Sequence, residues 1–352
     1  MVCGRKIFER ETLMRSRQLF AYMLVTFSVI FLGACATNSV SPTWTIESDP
    51  NAVTVPYRLS SAGRIVIDVA VNETEPQPFV LDTGASVSVL YESFSEDIGL
   101  RPTGDTVLIR GLVAVGRRPV IEGIDFNIGG KRFNSARAVT LDTPSVSDNS
   151  VGLLGSDILS TFLLLFNHET MMVSFLPSET VKPKIFSKWL RMPLKGNTKG
   201  REDIGLHFAE TDFGDKRIPV LIDTGSNTNF INWRMATLDK SIKRLERRMR
   251  TEGVLQGALE TTPLRLNTKL FGLSLGEKYW PELNVTVIEL EPLATIAPVD
   301  RPMMIAGAGM FTPQTFAFDF GRNQIYIRPS ENEVSAPRQG TILPQAGRLE
   351  IN

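Results

Sequence analysis

A chain of 352 residues exceeds one ordinary domain and suits two lobes, and 42% hydrophobic residues are enough to bury a core in each. Lys+Arg and Asp+Glu are equal at 38, so no overall field selects nucleic acid or a strongly charged partner. The only cysteines are Cys3 and Cys35 and the only histidines His168 and His207, which excludes a disulfide framework or thiolate metal site downstream and leaves little for a His-based metal centre or a Ser/His/Asp triad.

Residues 1–35 read as an export signal: Arg15 and Arg17 precede the apolar run Leu19 to Ala34, which is short for a spanning helix. Met14-Arg15-Ser16-Arg17 would by itself make a compact basic start. The run ends in Leu32-Gly33-Ala34-Cys35, which resembles the lipobox of bacterial lipoprotein signals. That resemblance implies lipidation at Cys35, a mature chain beginning there and, with Ala36 next, sorting towards the outer membrane, the body facing the periplasm. An ordinary signal peptide with an incidental cysteine is the other reading. Residues 36–56 are rich in Ser, Thr, Asn and Pro without helical periodicity, as expected of a tether.

A first lobe is expected over 57–180. Arg64 to Val71 has strand composition, Asn72 to Gln77 is a turn, and Phe79 to Leu81 is a second strand that delivers Asp82 to a tight turn. Asp105 to Val115 and Ile124 to Ile128, before Gly129-Gly130, are further β-rich runs, and Glu92–Ile98 and Asp157–Phe162 are short helical stretches. Residues 181–200, with Pro183, Pro193 and Gly196, read as the crossing between lobes, 201–330 as the second lobe, and 331–352 as a tail. In the second lobe Met235, Leu238, Ile242, Leu245 and Met249 recur at helical spacing, predicting an amphipathic helix over Trp233–Met249. Its other face carries Arg234, Lys240, Lys243, Arg244, Arg247 and Arg248, and suits either solvent or an anionic lipid or cell-wall polymer.

The two lobes are copies. Pro78 to Leu90 aligns with Pro219 to Ile231 at an offset of 141, which places Asp82-Thr83-Gly84 on Asp223-Thr224-Gly225. Gly152 to Pro177 aligns without a gap with Met304 to Pro329 at an offset of 152 (155 onto 307), so the second half is longer between its motifs by about eleven residues. A carboxylate after a buried apolar strand is costly unless it is paired or used. Two at equivalent positions of a duplicated fold would meet across an approximate twofold axis, where they cannot both ionise readily and share a proton. The charged member can take a proton from water while the neutral one donates to an amide carbonyl. Glycine next in the turn lets the backbone approach, and threonine offers a hydroxyl to bond across the axis.

The paired Asp-Thr-Gly turns and their companions, Leu153-Leu154-Gly155 and Ile305-Ala306-Gly307, resemble those of the aspartic proteases, over roughly residues 57–330. The resemblance implies a mainly β, bilobal pepsin-like fold of duplicated closed barrels with few short helices, built from two fused retropepsin-like units. It implies Asp82 and Asp223 as the catalytic dyad, with Thr83, Gly84, Ala85, Thr224, Gly225, Ser226, Gly155 and Gly307 in support. It further implies peptide or protein as substrate, no cofactor or metal, and a monomeric body. A lipid-anchored binding or regulatory protein with weak turnover is the alternative. Departures are visible: Gly309 stands where the first half has Asp157, and no tyrosine lies in the expected flap, Arg110 to Arg118, where pepsins carry one. A hydroxyl at Ser226 can donate to its carboxylate whereas Ala85 cannot, which predicts activity at mildly acidic pH.

Overall fold

The computed structural model of the chain describes residues 51–110, 115–143, 149–196, 205–213, 216–240, 242–244, 266–288, 301–330 and 349–351. The leader with Cys35 lies outside the described residues, as do Leu245 and Met249 of the expected helix. Among the described residues no helix is long and apolar enough to cross a membrane.

Two eight-stranded sheets carry the two halves. In the first, Gln77–Leu81 runs parallel to Gly152–Leu154, which is antiparallel to Val89–Tyr91, itself parallel to Lys131–Leu141. The second repeats the pattern: Lys216–Asp223 parallel to Met304–Gly307, antiparallel to Phe230–Ile231, parallel to Lys278–Val287. Phe79 faces Gly152 in one ladder and Val220 faces Met304 in the other, so both sequence offsets are kept in register. A strand from late in each half thus slots between the two strands that flank its Asp-Thr-Gly turn. The first sheet closes on itself where Ala70 and Val71 of Ile65–Val71 pair with Asn127 and Phe126 of Val115–Ile128. Gly129 and Gly130, at φ 55° and 86°, make the tight turn into Lys131–Leu141.

The strands follow from their patterning. His207–Phe213 alternates buried and less buried residues, as a strand with one face on a core must. Phe162–Asn167, by contrast, is a continuous apolar run, because its sheet is covered on both faces.

That third sheet joins the halves. Its six strands run in the order Val53–Pro56, Met172–Pro177, Phe162–Asn167, Phe316–Asp319, Gln324–Ile327, Leu190–Pro193. The central pair is antiparallel and places Leu165 opposite Ala317, the residue 152 positions on, so the local twofold axis passes through this pair. Phe166 stacks on Phe316 with ring centroids 4.6 Å apart. One face of the sheet, through Leu164, Phe166, Phe175, Phe316 and Phe318, joins the cores of both barrels. Its other face is covered by Val181, Phe186 and Trp189.

Three sequence boundaries shift here. The stretch read as tether ends earlier, because Val53–Pro56 pairs with Met172–Pro177. The stretch read as a crossing is packed structure: the short 3-10 turn Pro183–Phe186, which follows another at Ser178–Thr180, and the sheet strand Leu190–Pro193. Phe186 is stacked on Tyr326 at 4.3 Å, and burying such a ring contributes about 1.5–3 kcal/mol. In the stretch read as tail, Leu349–Ile351 pairs with Thr268 to Leu270 at the edge of the second sheet.

Helices are few and short, Glu92–Asp97, Ser156–Leu159 and Trp233–Ala236 among them. The last covers only the start of the expected amphipathic helix. It is capped by the Asn232 side chain, which accepts from the Met235 N–H at 3.0 Å; turn and bend residues 237–239 interrupt the expected helix, and residues 240 and 242–244 are helical again. Met235 and Ile242 are fully buried as the periodicity predicts, but Leu238 is 36% exposed. Arg234, Lys240, Lys243 and Arg244 are exposed.

Candidate active site

Each apolar strand ends where its core ends, and the next residue is the aspartate. Asp82 and Asp223 are half-buried at the ends of Gln77–Leu81 and Lys216–Asp223, and the structure brings them into hydrogen-bond contact. Behind them, Thr83 and Thr224 are fully buried and interlock across the axis. The Thr83 hydroxyl donates to the Ile222 carbonyl at 2.8 Å and accepts from the Thr224 N–H at 3.1 Å. The Thr224 hydroxyl does the reverse, donating to the Leu81 carbonyl at 2.7 Å and accepting from the Thr83 N–H at 3.1 Å. Four bonds of this kind hold the two turns in one relative position and satisfy backbone groups that would otherwise be buried and unpaired.

The glycines are required by what faces them. A Cβ on Gly84 would lie 2.6 Å from the Asp223 carboxyl carbon, and one on Gly225 would meet the Asp82 carboxyl. Each half's glycine therefore makes room for the other half's aspartate. The turn backbones also donate: Gly84 N–H and Ala85 N–H reach Asp82 Oδ1 at 2.9 and 3.0 Å, and Gly225 N–H reaches Asp223 Oδ1 at 2.9 Å.

The two carboxyls are electrostatically unequal. Burial pushes Asp82 up from the ordinary carboxylate range, but the hydrogen bond from Asp223, those from Gly84 and Ala85, and the positive charge of Arg64 pull it back. Burial also raises Asp223, the Asp82 charge and the shared hydrogen bond add to it, and the Gly225 and Ser226 N–H groups offset only part, leaving it well above the usual range. The two carboxyls therefore titrate as a unit and hold one proton between them.

Ser226 departs from expectation. Its hydroxyl donates to the Thr228 carbonyl and accepts from the Thr228 N–H, both at 3.1 Å, so it stabilises the turn and not the Asp223 carboxylate. The difference between Ala85 and Ser226 therefore gives no reason to expect a mildly acidic optimum.

Gly155 and Gly307 pack directly against the turns. A Cβ on Gly155 would lie 2.6 Å from the Val87 carbonyl carbon, and one on Gly307 2.6 Å from the Thr228 carbonyl oxygen. What holds their N–H groups is a pair of residues the sequence reading did not select. Ser88 accepts from Gly155 N–H at 3.0 Å and donates to Asp157 at 2.8 Å. In the second half Asn229 accepts from Gly307 N–H at 3.0 Å and donates to the Asn284 carbonyl at 3.2 Å. Ser88 and Asn229 are 141 positions apart, so the duplication itself was the signal. The histidines stand away from this site: His168 meets the Tyr57 hydroxyl at 3.1 Å, and His207 is buried edge-on to Phe318 and Phe320.

Residues 67–158 match the aspartyl protease family model. The matched segment runs from the first strand of the barrel through Asp82-Thr83-Gly84 to Gly155 and Asp157, and the second half repeats its strand pairings. No curated protein matches the chain. Among solved structures, basic 7S globulin from soybean is similar with a TM-score of 0.45 and 11% identity, covering 80% of this chain and 95% of that one. Conglutin gamma, a basic 7S globulin from lupine seeds, is similar with a TM-score of 0.46 and 10% identity, covering 80% of this chain and 96% of that one.

Proposed function

We propose that the chain is an aspartic-type endopeptidase in which Asp82 activates a water and Asp223 donates to the substrate carbonyl. The observation that carries this is the hydrogen-bonded carboxyl pair, held by reciprocal threonine bonds, with burial and mutual repulsion keeping one proton on the pair. Asp82, ionised, takes a proton from the attacking water. Asp223 gives its proton to the carbonyl oxygen, and a tetrahedral intermediate forms without a covalent enzyme adduct. On collapse Asp82 gives its proton to the leaving amine and Asp223 takes one back from a hydroxyl of the intermediate, so the dyad ends singly protonated as it began. Activity then requires a pH at which one of the two carboxyls is protonated, giving a bell-shaped profile whose limbs belong to the pair.

The test is incubation of the body from about residue 36 with a peptide library across pH. Asp82→Asn and Asp223→Asn should each lower kcat by at least about 10³-fold with folding retained. Peptide binding without turnover in the unaltered protein would instead support the regulatory alternative. The proposal includes a lipid anchor at Cys35 and a bacterial envelope location, supported by the apolar run and Leu32-Gly33-Ala34-Cys35. Unchanged membrane fractionation and lipid labelling of Cys35→Ser would count against it.

A further inference from the structure

Thr106–Arg110 and the start of Val115–Ile128 form a hairpin in which Val107 lies opposite Arg118 and Ile109 opposite Gly116. Directly opposed residues of an antiparallel pair share a face. Arg118 and Gly116 therefore stand on the same side as Val107 and Ile109. This is the inner side: Val107 and Ile109 pack against the cluster of Val89, Tyr91 and Val139, as do Val87 and Leu153, which flank the Asp82 turn and Gly155, whereas Leu108 and Arg117 on the opposite face are exposed. Gly116 has no side chain, and a Cβ there would lie 3.3 Å from an Arg118 guanidinium nitrogen. The Arg118 head group thus occupies the space that Gly116 leaves on the inner face.

Arg118 as a residue is half-buried, and its guanidinium makes a long, exposed hydrogen bond of 3.3 Å to the adjacent Arg117 carbonyl. Among the described residues no carboxylate lies within ion-pair distance of it. A second arginine, Arg64, lies close enough to the dyad for its charge to act on Asp82. Arg64 ends the turn Ser60 to Arg64, whose Gly63 packs against Asn227 beside the other catalytic turn. A planar guanidinium on the inner face of the hairpin matches a carboxylate in shape and charge.

We propose that Arg118 reads a carboxylate side chain of the substrate, so that the enzyme prefers peptides with Glu or Asp near the bond it cuts. This rests on the endopeptidase reading above. The test uses peptide pairs differing only by Glu or Gln at each position around the cut bond. The expected preference for Glu at one position is about 10- to 100-fold in kcat/KM, the worth of one hydrogen bond to a charged group. Arg118→Gln should bring that ratio close to one, Arg118→Glu should turn it towards Lys, and Arg118→Lys should keep part of it. In parallel, binding of each pair to the Asp82→Asn protein is read by fluorescence anisotropy. An Arg118-dependent Glu preference in binding, with no cleavage by the unaltered protein, upholds this inference and overturns the endopeptidase reading. Cleavage without a Glu preference, or a preference that survives Arg118→Gln, overturns this inference alone. Neither cleavage nor binding overturns both.

Discussion

The first half uses two side chains to hold its companion glycine where the second uses one. Ser88 is a relay, accepting from Gly155 and leaning on Asp157, whereas Asn229 accepts from Gly307 and donates to the Asn284 carbonyl through the same amide group. The second half has no carboxylate to lean on and no room for one, since a Cβ on Gly309 would lie 2.5 Å from the Asn227 carbonyl oxygen. A similar divergence occurs in the six-stranded sheet. Asn167 caps its turn by accepting from Glu169 N–H and Thr170 N–H at 3.1 and 3.3 Å. Its counterpart Asp319 accepts from Arg322 N–H at 3.1 Å and also binds the Arg322 guanidinium at 2.8 Å. The difference teaches that the duplicated backbone fixes which N–H groups must be met, while the chemistry that meets them drifts.

The largest expected effect lies at Asp319. Its side chain is 1% exposed, and Arg322 also reaches the Ser178 and Val181 carbonyls, tying the turn after the first half's strand to the second half. Arg322→Ala leaves a buried charge uncompensated and should cost about 3–5 kcal/mol in urea unfolding. Asp319→Asn with Arg322→Thr copies the first half's Asn167 and Thr170 and should recover part of that loss. A double variant no more stable than Arg322→Ala would show that the two turns are not interchangeable.

A smaller effect is expected beneath the active turns. Asn229→Ala leaves the buried Gly307 N–H without its acceptor and should cost about 1–3 kcal/mol, and Ser88→Ala should cost a similar amount at Gly155. Asn229→Ser restores an acceptor but not the donor to Asn284, so its Tm should fall between those of Asn229→Ala and the unaltered protein. Full recovery by Asn229→Ser would mean that the Asn284 bond contributes nothing.

How much of this was legible follows from where the signals sit. Asp82, Asp223, both threonines and both companion glycines lie within short motifs repeated in register, and the structure brings all of them together. Ser88 and Asn229 were visible in the same alignment but differ in identity, and a single polar residue after a turn carries no signature of what it holds. Val53–Pro56 and Leu190–Pro193 escaped for another reason. Each is a four-residue edge strand containing proline, and its partner is more than a hundred positions away. Ser226 misled because composition places a hydroxyl beside the carboxylate but does not say which way it points.

The smallest expected effect decides which half carries the proton. Asp223 is raised well above its unfolded value of about 3.9. A carboxyl raised on folding contributes stability that is fully present below the unfolded pKa and is lost as pH rises through the folded pKa. Asp223→Asn removes that titration, and its amide can still donate to ionised Asp82. Its Tm should therefore exceed that of the unaltered protein at neutral pH, with the difference closing as pH falls towards the unfolded value. Asp82→Asn behaves differently, because Asp223 remains buried and must still keep its proton, so most of the pH dependence should persist. If instead Asp82→Asn flattens the Tm profile and Asp223→Asn does not, the proton resides on Asp82 and the acid and base assignments of the two halves exchange.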